Sequence, residues 1–371
     1  MKLLSRSLTI RDLRDIVVGA SFLGAGGGGY PDFGMKLVDL VAEVTSEVPM
    51  VSPDEIDDNE YVASVAAMGA PKALRERGFG GETLYAYEGL ERIYSMIGVR
   101  FRYMAFLETG GFNTMNPIYV ATMKKLSLVD ADGAGGRAVP QLETSLFYLY
   151  RIPFSPFVVA DRDRNIVVGW LTDPHDGKLA ENIARHVTVS WGMRSGIATC
   201  VTTGWQVKRY LEHGVVERSL TIGRTIREAR KRGLDIVREV LKATDGYLLF
   251  KGVIKKVSLI TEAGFDFGKI MLEGIDEFAG KTFEIDFKNE NMIAWKAPGE
   301  PVAMVPDSIC YIGLNGDVII NASITEGLKV AIIGLRASEK WRSHPKGFEV
   351  WRPILERMGY RGDYIPIEKL V

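Results

Sequence analysis

The residues most suited to chemistry cluster at Leu126–Pro140, which reads LSLVDADGAGGRAVP and brings Asp130, Asp132 and Arg137 onto one glycine-rich stretch. Two carboxylates one residue apart share a face if extended, and from a loop they can chelate a divalent ion. An arginine beside them can grip a substrate carboxylate with two parallel hydrogen bonds, or be consumed in a buried pair with Asp130 or Asp132. No His or Cys stands near, so the spacing does not indicate a soft-metal site. A divalent metal, if there is one, is expected on Asp130 and Asp132. The stretch LETGGFN adds Glu108, a candidate acid or helix cap, together with Gly110, Gly111 and Asn113, whose bare surroundings let a substrate approach the backbone. Met68-Gly69-Ala70-Pro71 adds the amide of Gly69.

A fourth stretch, Gly24-Ala25-Gly26-Gly27-Gly28-Gly29, fits G-x-G-x-x-G. The dinucleotide fingerprint should follow a strand, and here a capped helix precedes it. No G-K-[ST] ending makes it a phosphate loop. One reading is a helix-terminating turn that needs positive φ. Four glycines in a row exceed that need, so Gly26, Gly27, Gly28 and Gly29 also read as amides that face a ligand or another backbone. Cys200 reads as a small buried thiol or, with a lowered pKa, a nucleophile. Asp173 and His175 suit a turn, and His186 lies in a helical stretch.

Something must position these loops. Thr9 and Asp12 form a capping box that predicts a helix over Ile10 to Phe22, and Phe33 to Val44 is amphipathic. Strand patterns at Tyr61–Met68, Phe101–Leu107 and Leu126–Val129 alternate with helical spacing at Glu82–Ile97 and Pro117–Lys125. This alternation predicts an α/β domain with a mainly parallel sheet. In such a sheet three consecutive strands end on one edge, where their loops converge on a crevice. Past about Gly177 the texture changes. Lys178–Trp191 and Glu217–Lys242 look helical, and Tyr247–Leu335 is a succession of short β-type runs, which predicts a β-rich C-terminal domain, a barrel or sandwich. The expected division is 1–176 and 177–371.

Composition bounds the partners. The 371 residues carry 46 Lys and Arg against 47 Asp and Glu, a net charge of -1. Such balance offers no electrostatic reason to bind nucleic acid or an anionic membrane. The two cysteines, Cys200 and Cys310, fit no disulfide framework. Charges interrupt the first residues where a signal peptide needs an apolar run, and no apolar stretch approaches the roughly 18 residues of a membrane span. A cytoplasmic homo-oligomer that acts on a small molecule is the expectation.

Taken together, LGAGGGGYP (Leu23–Pro31), MGAP, LETGGFN and VDADGAGGRAVP resemble the S-methyl thiohydantoin desulfurase family. The likeness continues in order through IGRTIREAR, LFKGVI, GFDFGKIMLEG, FKNENMIAW, VPDSICYI and GDYIPI. It departs at Thr109, at Ala134-Gly135 and at Gln141. The resemblance implies an N-terminal α/β and a C-terminal β-rich domain, a hydantoin-type five-membered ring as ligand, and hydantoinase or oxoprolinase enzymes as partners. It also implies removal of sulfur from a thiohydantoin. The expected chemistry is hydrolysis at the sulfur-bearing C2 carbon. Asp130 or Asp132 deprotonates water, directly or through a metal. Glu108 protonates a ring nitrogen or the sulfur, and Arg137 and the glycine amides hold negative charge. The alternatives are a non-catalytic ligand-binding subunit of a hydantoinase-type enzyme and, more remotely, a nucleotide enzyme using Gly26 to Gly29.

Overall fold

The computed structural model describes residues 6–69, 78–262 and 264–371, so Ala70 and Pro71 lie outside the described residues. The first sheet is built from β1 (Arg6–Thr9), β2 (Glu47–Val51), β3 (Tyr61–Gly69), β4 (Tyr103–Phe106), β5 (Ser127–Asp132), β6 (Phe157–Ala160), β7 (Ile166–Gly169), β8 (Arg194–Thr203) and β9 (Glu212–His213). Their order is β1-β2-β5-β4-β3-β8-β6-β7, with β9 on β5. Pairing is parallel through the centre, β2-β5-β4-β3, and antiparallel at both flanks. Helices cover both faces, as the crossovers between parallel strands require. One face packs Ile16, Leu37, Leu90 and Ile118 into an apolar layer, and the other packs Phe147, Phe154, Ala180 and Val207. The predicted Thr9 box is present: Asp12 N–H donates to Thr9 Oγ1 at 3.2 Å, and Thr9 N–H donates back to Asp12 Oδ2 at 3.0 Å. It opens the helix Ile10–Leu23, which delivers the glycine stretch.

The first sheet continues past residue 177, since β8 inserts antiparallel between β3 and β6. The long helical stretch Glu217–Lys242 is two helices, Val215–Arg232 and Ile236–Thr244. Gly233 ends the first at φ +62°, and the Asp235 side chain caps the second through Arg238 N–H at 3.0 Å.

The second domain holds β10 (Tyr247–Glu262), β11 (Phe265–Gly274), β12 (Thr282–Lys288), β13 (Glu290–Ala297), β14 (Glu300–Met304), β15 (Ser308–Gly313) and β16 (Lys329–Leu335). It is one antiparallel sheet, β14-β13-β12-β11-β10-β16-β15, whose two ends approach each other, so that it curls into a half-barrel. Phe250, Ile254, Ile285, Phe287, Tyr311 and Ile332 pack into one apolar core within it. No helix among the described residues is long and apolar enough to cross a membrane.

Candidate functional site

Loops from the parallel edge, the glycine stretch, the start of β8, the helix Gly177–Ser190 and a turn of the half-barrel line a cavity of about 140 Å³. A cavity of about this size takes up a single benzene-sized ring. The glycine stretch is stitched to both domains. Asn291 N–H donates to Ala25 O and Asn321 N–H to Gly26 O, each at 2.8 Å, while Phe112 and Asn113 N–H both donate to Gly28 O at 3.1 Å. Small residues are required for this closeness. Gly28 sits at φ +74°, and a Cβ there would lie 2.3 Å from the Gly110 Cα. Gly26, Gly27, Gly28, Gly29, Gly69, Glu108 and Asn113 all line the cavity, so these sequence candidates do meet.

Glu108 leaves the end of β4 and is 8% exposed. Its Oε2 accepts from Val139 N–H at 2.9 Å, and its Oε1 accepts from Asn113 Nδ2. Asn113 is itself fixed, since its Oδ1 accepts from Ala67 N–H at 3.0 Å. Burial pushes the Glu108 carboxyl up to about 7, against the lowering effect of those two hydrogen bonds and with help from the negative Asp132 and Glu181. A carboxyl poised there can both take and give a proton near neutral pH. Glu290, at the start of β13 and 4% exposed, lines the same cavity. Burial and then the Glu108 charge hold Glu290 well above the usual carboxylate range, while Arg137 and Lys288 oppose this.

Models of the S-Me-THD-like N-terminal domain and the S-Me-THD-like C-terminal domain match residues 11–169 and 175–367. The chain belongs to the S-Me-THD-like family. An X-ray structure of a protein from Chromobacterium violaceum is similar over 98% of this chain and 100% of that one, with 25% identity and a TM-score of 0.84. No protein of the curated set matches significantly.

Within this S-Me-THD-like framework the other candidates take different places. Asp130 and Asp132 lie inside β5, not in the loop beyond it. Asp130 accepts from Val216 N–H at 2.7 Å and Glu217 N–H at 3.3 Å, so it caps the helix Val215–Arg232. Asp132 accepts from Ala134 N–H at 2.7 Å, Gly136 N–H at 3.0 Å and the Thr109 hydroxyl at 2.8 Å, which closes the glycine turn. Burial pushes the two carboxyls to about 6 and about 7. Arg137 is 1% exposed. It donates to the carbonyls of Ala138, Asp307, Asn291 and Pro306 at 2.9–3.3 Å, and its guanidinium lies 5.1 Å from the centre of the Trp351 ring. It is therefore a strut between the domains. None of these three lines the cavity, and neither do Gly110 and Gly111. Gly110 N–H is taken by Thr114 Oγ1 at 3.0 Å, and Gly111 packs against Ser21. Among the described residues no group of three or more His, Cys, Asp or Glu is arranged to hold a metal ion. Cys200 is buried, and burial raises its thiol far above neutrality.

Glu290 is a cavity residue that no sequence motif singles out. Its signal was the polar run Lys288-Asn289-Glu290-Asn291 in an otherwise apolar β stretch. Such a run, when buried, must serve a network or a ligand. Lys288 donates to Gln141, and its ammonium sits 4.0 Å over the Phe265 ring; burial lowers it to about 8. Arg185 pairs with Glu181 at 2.6 Å and donates to Gly264 O at 3.0 Å, which ties the β10–β11 hairpin to the helix Gly177–Ser190 beside the cavity.

Proposed function

We propose that this protein hydrolyses a hydantoin-like ring at its sulfur-bearing C2 carbon and releases a thiol or sulfide. The observation that carries the reading is Glu108, a fixed, buried carboxyl poised at about 7 in the wall of a ring-sized cavity of an S-Me-THD-like fold. With an S-alkyl thiohydantoin, ionised Glu108 takes a proton from water as its oxygen bonds to C2. The C2=N electron pair moves to the ring nitrogen. On collapse the C2–S bond breaks, Glu108 returns its proton to the departing sulfur, and the hydroxyl proton ends on the ring nitrogen. One water is consumed, and the products are a hydantoin and a thiol.

Backbone supports the charge that develops. Among the described residues the Gly28 and Gly29 N–H groups have no protein acceptor, which suits donors kept for a ligand. Positioned acid–base groups contribute about 10²–10⁴-fold. The test is thiol release from an S-methyl thiohydantoin by the purified chain. Glu108→Gln is expected to lose turnover by that factor while remaining folded, and an unchanged rate overturns the role of Glu108. Hydantoin binding without any turnover would favour the ligand-binding-subunit reading instead.

A further inference from the structure

Glu290 stands apart from the other acids buried in this fold, each of which has its oxygens hydrogen-bonded or an arginine partner. Asp130 and Asp132 accept backbone amides, and Asp307 accepts from Ala337 N–H, Ile367 N–H and the Tyr364 hydroxyl at 2.7–2.9 Å. Glu82 and Glu368 each keep one unpaired oxygen, but each has an arginine ion pair, with Arg194 at 2.8 Å and with Arg342. Glu290 Oε2 is buried with no hydrogen-bond partner, and no Lys or Arg among the described residues forms an ion pair with it. A carboxylate left so is costly; a protonated one is much less so. Its seat is deliberate. Gly27 faces it, and a Cβ there would lie 1.9 Å from Oε1 and 2.5 Å from Cδ.

We propose that Glu290 forms a proton-sharing pair with Glu108 across the domain junction and serves the ring nitrogen during hydrolysis. The second half of this rests on the reaction proposed above. Two carboxyls buried in the wall of one cavity do not both ionise readily near neutrality. Burial of Glu290 outweighs the charged groups around the pair, which act the other way. Asp132 and Glu181 press Glu108 toward its neutral form, and Arg137 and Lys288 temper Glu290. Glu108, whose two oxygens accept from Val139 N–H and Asn113 Nδ2, carries the charge and attacks through water, and Glu290, whose Oε2 accepts from nothing, carries the proton. As water adds to C2, the nitrogen that receives the C2=N pair takes the Glu290 proton. On collapse the hydroxyl proton returns to Glu290, while Glu108 protonates the sulfur. Both carboxyls end as they began.

The experiment uses the full chain and two readouts. Infrared spectra at about pH 8 are expected to show a protonated carboxyl in the parent and in Glu108→Gln that is missing from Glu290→Gln. With S-methyl thiohydantoin as the probe, Glu290→Gln is expected to lose about 10²-fold in turnover and to lose the alkaline fall of the pH–rate profile. Gly27→Ala, which displaces the carboxyl without removing it, is expected to lose turnover too. An infrared band that survives Glu290→Gln overturns the shared proton whatever the turnover. Full turnover with an unaltered profile in Glu290→Gln overturns the relay. A parent that shows the band but releases no thiol upholds the pair and refutes the reaction itself.

Discussion

Replacing Glu108 with glutamine should remove a pH dependence that this one side chain imposes on folding. Burial holds the carboxyl at about 7 in the folded chain, against an ordinary 4.5. Below the ordinary value the group is protonated in both states, and its burial carries no ionisation cost. As pH rises through the window from 4.5 to about 7, the unfolded chain releases the proton while the folded chain retains it, so stability falls. Above that window the loss is complete and amounts to about 3 kcal/mol. Glutamine keeps the shape but has one acceptor oxygen for two donors, Val139 N–H and Asn113 Nδ2. That defect costs about 1–3 kcal/mol at every pH. Glu108→Gln should therefore be less stable than the parent at about pH 4.5 and should recover by about 3 kcal/mol relative to it at about pH 8. Urea unfolding at the two pH values reads the change directly. A variant-minus-parent difference that stays constant across the window would show that Glu108 ionises normally and is not poised for proton transfer.

Three further substitutions separate scaffold from site. Arg137→Met leaves the carbonyls of Asn291, Pro306 and Asp307 without their donor; an apparent loss of about 3 kcal/mol or more in urea unfolding is expected, and a loss under about 0.5 kcal/mol would refute the strut. Asp130→Ala removes the cap of the helix Val215–Arg232; it should cost about 0.5–2 kcal/mol with turnover retained, and selective loss of turnover in a stable variant would return Asp130 to the chemistry. Gly28→Ala places a Cβ 2.3 Å from the Gly110 Cα at a positive φ, so a drop in Tm is expected, and an unchanged Tm would contradict the close backbone approach.

Much of the architecture was legible because it follows from local pattern. The Thr9 box, the strands at Tyr61 and Phe101 and the shift to β-type runs after Tyr247 are all periodicity and capping, and each appears close to its expected place. The convergence of Gly69, Glu108 and Asn113 with the glycine stretch follows from parallel strands ending on one edge. The fate of Asp130, Asp132 and Arg137 was not legible. An acid beside a glycine turn looks the same whether it serves a ligand or the backbone. The choice was made by partners remote in sequence, Val216 N–H for Asp130 and the Asp307 carbonyl for Arg137. Glu290 was hidden for the same reason, since it reaches the cavity from the other domain.

Hydrolysis in heavy-oxygen water shows whether Glu108 delivers water to C2. The purified chain, given an S-methyl thiohydantoin, should release a thiol and leave one heavy oxygen in the C2 carbonyl of the hydantoin, with Glu108→Gln slower by about 10² or more. A ring that gains no label, or one that gains it equally fast in the variant, would contradict the account.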